Sequence, residues 1–509
     1  MPCNKTVDRG GDFKEMTVIS LKPDVREGLF DRVASLFEII DQMPHEVSDE
    51  EVEGVLEMLP DDVAETVGAF LIPRNRRAGL AVLRMLARYF RGAREAKEAG
   101  KKVILIPFNF LPELIHAFEG AHPLTSEVLS AAGGAATEGK GHRYWDYAMG
   151  LGIPDHLCSA STIELGSMLT GRDLEADAIA STTAGACDAN SKIHEFVANY
   201  LGIPQFVLEK PVEDNERGRE QYRKNFYTLV AQLEEFIGEE LNEERLRSVI
   251  QYGNRAAELH HELWDLKRNV PCPVPNLFNY FCYMARFTMW GTPDAIECYE
   301  TMVDVAKKRL AAGEYPAEKE VARCGWLYVS YYIDYAGLFN WMEERGYTYL
   351  WDVLDLYFPE PINTASKETM IDGLAEAART FPMTAQMGAN SMSLAWIEDM
   401  VRVMKDLKAD CGIYCGHHAC KQTWSVISMV QKELMKRAGV PTLSLQGDAW
   451  LSGVTPMSAL QTDIDEFIRN VVAKQSGART RGRKSRESAK GLSASPGSNA
   501  EVTGSRSDR

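Results

Sequence analysis

The chain has 509 residues, with 56 Lys and Arg against 73 Asp and Glu, so its formal net charge is −17. Hydrophobic residues make up 45% and charged residues 25%, which excludes disorder, collagen and coiled coil for most of the chain and leaves room for about three domains. The acidic balance argues against nonspecific nucleic-acid binding, because phosphate contacts need a cationic surface.

The first residues, MPCNKTVDRGGDF, lack the basic stretch and apolar core of a signal peptide. No window approaches the roughly 18 uninterrupted apolar residues of a membrane span. We therefore expect a cytoplasmic protein without membrane contact, whose thiols stay reduced. Ten cysteines are too few for a disulfide scaffold, so each is a buried filler, a reactive thiol or a metal ligand.

The chain begins with a region of helical periodicity, residues 1–99, which contains the run GLAVLRMLARYFRGAREAKEAG. A buried strand, KKVILIPF, and a helix, LPELIHAFEG, then open a first α/β domain over residues 100–211. Residues 212–318 have helical periodicity throughout and indicate a helical insertion. A second α/β domain is predicted over residues 319–473. The last 36 residues, 474–509, carry nine basic and three acidic side chains and are expected to be a disordered basic tail.

Two stretches of the chain follow the same plan, Asp177–Pro211 and Asp410–Asp448. Each has a short apolar strand, a turn of small residues, a cysteine, a helix of about four turns, the sequence Gly-Ile/Val-Pro and a second apolar strand. This order predicts a parallel, right-handed βαβ unit. The expected fold is therefore α/β, with two flavodoxin-like domains whose parallel sheets are flanked by helices, besides the helical insertion and the N-terminal helical region.

Three cysteines lie among small or polar residues at predicted turns: Cys158 in GIPDHLCSAS, Cys187 in TAGACDANSK and Cys420 in GHHACKQTW. Ligands collect at the carboxyl ends of parallel strands, and thiolates favour iron–sulfur clusters. Three ligands would leave one iron with an open position. Spacing alone keeps buried packing open as the alternative. Cys411 and Cys415 are interpreted as strand-core thiols, with an additional ligand as the second interpretation.

The segments GLGIPDHLCSASTIELG and ASTTAGACDANSKIHEFVANYLGIPQFVLEKP resemble the 2-hydroxyacyl-CoA dehydratase and benzoyl-CoA reductase family, as does DCGIYCGHHACKQTWSVISMVQKELMKRAGVPTLSLQGD. The upstream run LPELIHAFEGAHPL is similar to the family's Pro-x-Glu-Leu-Ile-x-Ala segment. Together these segments extend the resemblance over about residues 100–475, with the three cysteine motifs in family order.

The resemblance implies a [4Fe-4S] cluster held by Cys158, Cys187 and Cys420. It also implies a heterodimer with a related second subunit, an ATP-dependent iron–sulfur activator protein and an acyl-CoA substrate. In a 2-hydroxyacyl-CoA dehydratase one electron gives a ketyl radical that expels hydroxide, after which the β-proton becomes acidic and the electron returns. The alternatives are a subunit of a benzoyl-CoA-type reductase, a noncatalytic cluster-bearing electron-transfer subunit, and a cluster-free binding module.

Two side chains are candidates for proton transfer. Glu113 follows the first predicted strand and could act as general acid or base, or it could be a first-turn glutamate stabilised by the helix dipole. His417 and His418 precede Cys420, where one is expected to hydrogen-bond a cluster sulfide or the thioester and the other to be a turn histidine. We choose His418 as the candidate.

Overall fold

In a computed structural model the protein is described over residues 40–474, except residues 45, 137–140, 171–175, 184–186, 212 and 382–391. The start of the predicted N-terminal helical region and all of the predicted basic tail after Lys474 lie outside these residues.

The first sheet has four parallel strands in the order β2-β1-β3-β4. Its strands are β1 Lys102–Ile106, β2 Ala121–Thr125, β3 Ala178–Thr183 and β4 Gln205–Glu209. The run KVILI of β1 is almost wholly buried, as expected for a strand of a parallel sheet that is covered on both faces.

The second sheet repeats this order, with β6-β5-β7-β8 all parallel. Its strands are β5 Ala322–Trp326, β6 Tyr347–Trp351, β7 Cys411–Tyr414 and β8 Thr442–Ser444. In flavodoxin-like sheets the second strand along the chain is the edge strand and lies beside the first, and both sheets have this order. The predicted α/β fold with two flavodoxin-like units is confirmed.

Among the described residues three helices precede the first sheet, and each strand connection of that sheet contains a helix. The helices up to β4 are α1 Asp49–Leu56, α2 Asp61–Phe70, α3 Arg76–Glu95, α4 Pro112–His116, α5 Ser126–Ala136, α6 His142–Gly150, α7 Ser159–Leu169 and α8 Asp188–Leu201. Helix α3 is buried over most of its length and packs against two helices of the segment that follows β4.

In the described part of the chain four helices lie between the two sheets, and the second sheet has helices of its own. The helices after β4 are α9 Glu216–Ile237, α10 Glu243–Lys267, α11 Phe278–Thr288, α12 Pro293–Ala312, α13 Tyr335–Glu344, α14 Lys367–Thr380, α15 Met392–Asp406, α16 Lys421–Ala438 and α17 Met457–Phe467. Short 3-10 turns cover Tyr332–Asp334 and Val353–Asp355, and a π-helical turn covers Ile468–Val472. One continuous apolar core contains side chains from both sheets.

Within the described part of the chain, no helix combines the length and the apolar character needed to cross a bilayer.

Candidate functional site

One cavity lies where the carboxyl ends of the two sheets meet. From the first unit it is lined by residues that follow β2 and β3, such as Glu127 and Cys187. From the second unit it is lined by residues that follow β5 and β7, such as Tyr328 and Cys420. The carboxyl edge is where open α/β sheets bind ligands, so this cavity is the candidate functional site.

The three predicted cysteines all line this cavity, and each occupies the N-cap position of a helix. Cys158 precedes α7, Cys187 precedes α8 and Cys420 precedes α16. The Cys187 sulfur accepts a hydrogen bond from the backbone N–H of Asn190 at 3.5 Å. The positive end of a helix dipole favours negative charge, so each cysteine lies where a thiolate would be stabilised.

The three sulfur atoms are close enough for their charges to interact. Burial, together with the thiolates of Cys158 and Cys420, raises the pKa of the Cys187 thiol well above its ordinary value. A bound cationic centre would remove this penalty, because it favours the thiolate form. Burial raises the pKa of Cys415 to about 12, and the sulfur of Cys411 lies 3.5 Å from that of Cys324 in the neighbouring strand.

A chain of buried contacts runs from Cys158 through His417 and Asp448 to Ser159 and joins the two units; we call it the buried relay. His417 Nε2 lies 3.4 Å from the Cys158 sulfur, and His417 Nδ1 lies 3.2 Å from Asp448 Oδ2. The other oxygen of Asp448 accepts hydrogen bonds from the Ser159 hydroxyl at 2.6 Å and from the backbone N–H of Trp450 at 2.9 Å. Burial alone would raise the pKa of Asp448, but His417 and these hydrogen bonds lower it to about 2. Asp448 is therefore an acceptor that fixes His417 against Cys158.

We expect Asp448→Asn to lower the free energy of unfolding by about 3 kcal/mol, because it leaves the buried His417 without its counter-charge. Urea titration followed by circular dichroism measures the effect. Glu398→Gln is the matched control, because Glu398 is 63% exposed in its pair with Arg437 and such pairs contribute about 1 kcal/mol or less. Equal losses in the two variants would contradict the buried relay.

A carboxyl group that the sequence analysis did not select lies in the cavity wall. Glu127 is half-buried in the first turn of α5, directly after β2. Its Oε2 accepts hydrogen bonds from the Phe108 N–H at 2.9 Å and the Ser126 hydroxyl at 2.7 Å, and its Oε1 accepts one from the Asn190 side chain at 2.6 Å. Three neutral donors therefore hold the carboxyl group in place.

The pKa of Glu127 is raised to about 7, first by burial and then by the charge of Glu164. Glu164 forms a fully buried pair with His194, whose Nε2 lies 3.3 Å from Glu164 Oε1. His194 and the hydrogen bonds to Glu127 act in the opposite direction but are weaker. A carboxyl group with a pKa near neutrality in a ligand cavity is suited to proton transfer.

The predicted acid–base residue Glu113 lies elsewhere, and it is not among the described residues that line the cavity. It is buried in α4, with its Oε2 3.7 Å from the guanidinium of Arg286. The aromatic rings of Tyr357, Trp290 and Phe381 enclose that guanidinium. Burial raises the pKa of Glu113, and Arg286 opposes the rise. The arrangement is that of a structural ion pair.

The structure places the two adjacent histidines, including the predicted His418, in different surroundings. His418 is exposed and is not among the described residues that line the cavity, whereas His417 is 4% exposed and lines it. The backbone at Gly416 has φ +63°, and a Cβ there would lie 1.8 Å from the Leu445 carbonyl oxygen. Only glycine fits this position, and the turn it allows directs His417 inward.

Aromatic and aliphatic side chains form much of the remaining wall. These are Phe108, Val128, Tyr283, Met284, Phe287, Tyr328, Val329, Tyr332, Leu354 and Trp450. The rings of Tyr332 and Trp450 stack with centroids 4.4 Å apart. Tyr328 lines the same cavity as the three cysteines, and burial, together with the charges of these cysteines in their thiolate form, raises the pKa of Tyr328 well above its ordinary value.

Among the described residues, no group of three or more Cys, His, Asp or Glu side chains is arranged to hold a single metal ion. The cavity instead contains three thiols from separate loops. The backbone N–H of Asn190 donates a hydrogen bond to the Cys187 sulfur, and His417 Nε2 lies within hydrogen-bond distance of the Cys158 sulfur.

The fold and the cavity define a class of protein in which two flavodoxin-like units share one thiol-lined site. A family model described as 2-hydroxyglutaryl-CoA dehydratase, D-component, matches residues 108–471. The chain belongs to this family, which confirms the resemblance found in the cysteine motifs.

A curated relative is the alpha subunit of (R)-2-hydroxyglutaryl-CoA dehydratase from Acidaminococcus fermentans. It is 24% identical to this chain over 268 residues, which cover 52% of the chain and 54% of the relative. The chain thus spans about half the length of that relative.

Proposed function

We propose that this chain is the iron–sulfur subunit of a 2-hydroxyacyl-CoA dehydratase, an enzyme that removes water from a 2-hydroxyacyl-CoA. The observation that carries the proposal is the convergence of Cys158, Cys187 and Cys420 in one cavity at the sheet edges, in a chain that belongs to the dehydratase family. The relative is one subunit of its enzyme. We therefore propose a related partner subunit as well.

The residues present fit a [4Fe-4S] cluster. Thiolates are the usual ligands of such clusters, and each of the three cysteines caps a helix at its positive end. In a cluster each thiolate binds a different iron, so the sulfur atoms need not meet at a single ion. When bound, the cluster would supply one-electron chemistry after ATP-dependent activation by a partner protein, giving a ketyl radical of the thioester that loses hydroxide.

Residues of this chain would transfer the protons of the reaction and hold the groups around them in place. Glu127 lies in the cavity wall with a pKa of about 7, so at neutral pH it is present in both forms. The acid form can protonate the departing hydroxyl group, and the carboxylate can accept the β-proton. His417 holds Cys158 by a hydrogen bond, and Asp448 fixes the orientation of that imidazole. The apolar wall excludes water from the reacting atoms.

The test is product analysis with the purified two-subunit complex, its activator, ATP and a set of 2-hydroxyacyl-CoA thioesters under anaerobic conditions. We expect an enoyl-CoA and no net consumption of reductant beyond activation. Stoichiometric reductant consumption with aryl-CoA, and no enoyl product from any hydroxyacyl thioester, would instead indicate a benzoyl-CoA-type reductase. Iron content without either activity would indicate an electron-transfer subunit.

A further inference from the structure

The side chains in the cavity wall indicate which kind of acyl group the cavity would bind. Three neighbouring residues of α11 line the cavity, with the rings of Tyr283 and Phe287 and the thioether of Met284, and are at most 4% exposed; the Tyr283 hydroxyl group is the one polar side-chain atom among these three. The Phe287 ring packs edge-on against Phe108 at 5.9 Å, and both rings line the cavity. Tyr332 and Trp450 add a stacked pair from the second unit. Aromatic walls of this kind favour another ring through offset and edge-to-face contacts.

The charges in the wall oppose an acidic acyl group. Among the described residues that line the cavity, the one carboxyl group is Glu127. Of the basic groups there, Lys421 is exposed, His156 is 67% exposed, and His417 is paired with Asp448. Arg286, although it belongs to α11, is paired with Glu113 and is enclosed by aromatic rings outside this lining. A second carboxylate on the substrate would therefore be desolvated beside Glu127 without a buried cation to pair with.

We propose that the acyl group taken by this cavity is uncharged and aromatic, so that the substrate is a 2-hydroxyacyl-CoA with an aryl side chain and not the CoA thioester of a dicarboxylic acid. The proposal rests on the proposed dehydratase function and specifies its substrate class. It separates this chain from the relative, whose name specifies 2-hydroxyglutaryl-CoA.

The test is calorimetric binding to the full chain, purified anaerobically, of thioesters that lack the 2-hydroxyl group and do not react. The probes are 3-phenylpropanoyl-CoA, glutaryl-CoA, acetyl-CoA and free CoA. We expect 3-phenylpropanoyl-CoA to bind about tenfold or more tighter than acetyl-CoA, and glutaryl-CoA to bind no tighter than acetyl-CoA. Glutaryl-CoA binding as tightly as the phenyl thioester, or a phenyl thioester no tighter than acetyl-CoA, overturns the proposal.

Two variants separate the contributions of charge and ring. Glu127→Gln keeps the shape of the side chain and is expected to tighten glutaryl-CoA binding about tenfold at pH 8, where the parent carboxyl group, with its pKa of about 7, is mostly ionised, with little change for the phenyl thioester. Trp450→Leu is expected to weaken the phenyl thioester about fivefold and to leave acetyl-CoA unchanged. Trp341→Leu is the matched control, because Trp341 lies outside the cavity lining, against Tyr347 and Arg345.

The outcomes distinguish this proposal from the dehydratase proposal. If all thioesters bind more tightly than free CoA but show no preference, the aromatic acyl group is wrong and the dehydratase function stands. If no thioester binds more tightly than free CoA, both proposals fail.

Discussion

Cys187→Ala is expected to reduce the iron content of the anaerobically purified chain from about four atoms to less than about one, with loss of the brown chromophore. The physical reason is that Cys158, Cys187 and Cys420 line the same cavity from three separate loops, so two remaining thiolates cannot hold a cluster that takes three. Iron analysis and the visible absorption spectrum measure the result, and neither depends on enzymatic activity.

The matched control is Cys298→Ala. Cys298 is 1% exposed in α12, and its sulfur lies 3.6 Å from the Met85 sulfur, away from the cavity. Its removal should leave the iron content unchanged. Both variants should retain the circular dichroism of the parent chain. A Cys187→Ala protein that keeps its full iron content would remove Cys187 from the ligand set.

Cys415→Ala tests the second interpretation of the cysteines near β7. Cys415 is fully buried and is not among the described residues that line the cavity, so we expect its iron content to match that of the parent chain. Loss of iron in this variant would show that Cys415 contributes to the cluster.

The paired sheets could be predicted from the sequence because each βαβ unit is local. In Asp177–Pro211 and Asp410–Asp448 the strands, the helix and the turn lie within 40 residues of one another, and their apolar periodicity is enough to specify them. The position of a cysteine between a strand and the helix that follows it therefore also indicated that it would lie at the carboxyl edge, as Cys187 and Cys420 do.

The choice between similar side chains could not be made from the sequence, because contacts between distant segments decide it. Glu113 and Glu127 both follow strands of the first sheet, but Arg286, from another part of the chain, pairs with Glu113. His417 and His418 are adjacent, and the turn at Gly416, set by its contact with Leu445, directs His417 inward. The corner TSEVLS after β2 was the available signal for Glu127, since it has the same strand-to-helix form as the corner of Glu113.

Glu127→Gln is expected to lower kcat of the activated complex by about 10²- to 10³-fold. The amide oxygen of the glutamine can accept the hydrogen bonds from Phe108 and Ser126, and its NH2 group can donate to the Asn190 side chain once that amide turns its oxygen toward it, so position is kept and proton exchange is lost. Initial rates of enoyl-CoA formation, with activator in excess, measure the effect. The Glu398→Gln variant should keep the parent rate, because Glu398 lies on the surface in its pair with Arg437.

The pH dependence gives a second measurement of the same group. In the parent enzyme a step that needs the acid form of Glu127 slows as pH rises above about 7, and a step that needs the carboxylate slows below it. Glu127→Gln should abolish this dependence. Glu164→Gln should move it to lower pH, because the charge of Glu164 is one of the causes that raise the pKa of Glu127. A parent-like profile in Glu127→Gln would assign the proton transfer to another group.

The raised pKa of Glu127 also makes the folding stability of the chain depend on pH. The folded state raises the pKa of Glu127 from its ordinary value to about 7, so the folded protein binds a proton more tightly than the unfolded chain does. Folding stability therefore falls as pH rises through this interval. Glu127→Gln does not ionise, so it should gain stability relative to the parent chain between pH 5 and pH 8. Urea titrations at these two pH values measure the gain without any substrate or cluster chemistry. If the difference between the two proteins does not change with pH, Glu127 has an ordinary pKa, and the proton-transfer assignment loses its physical basis.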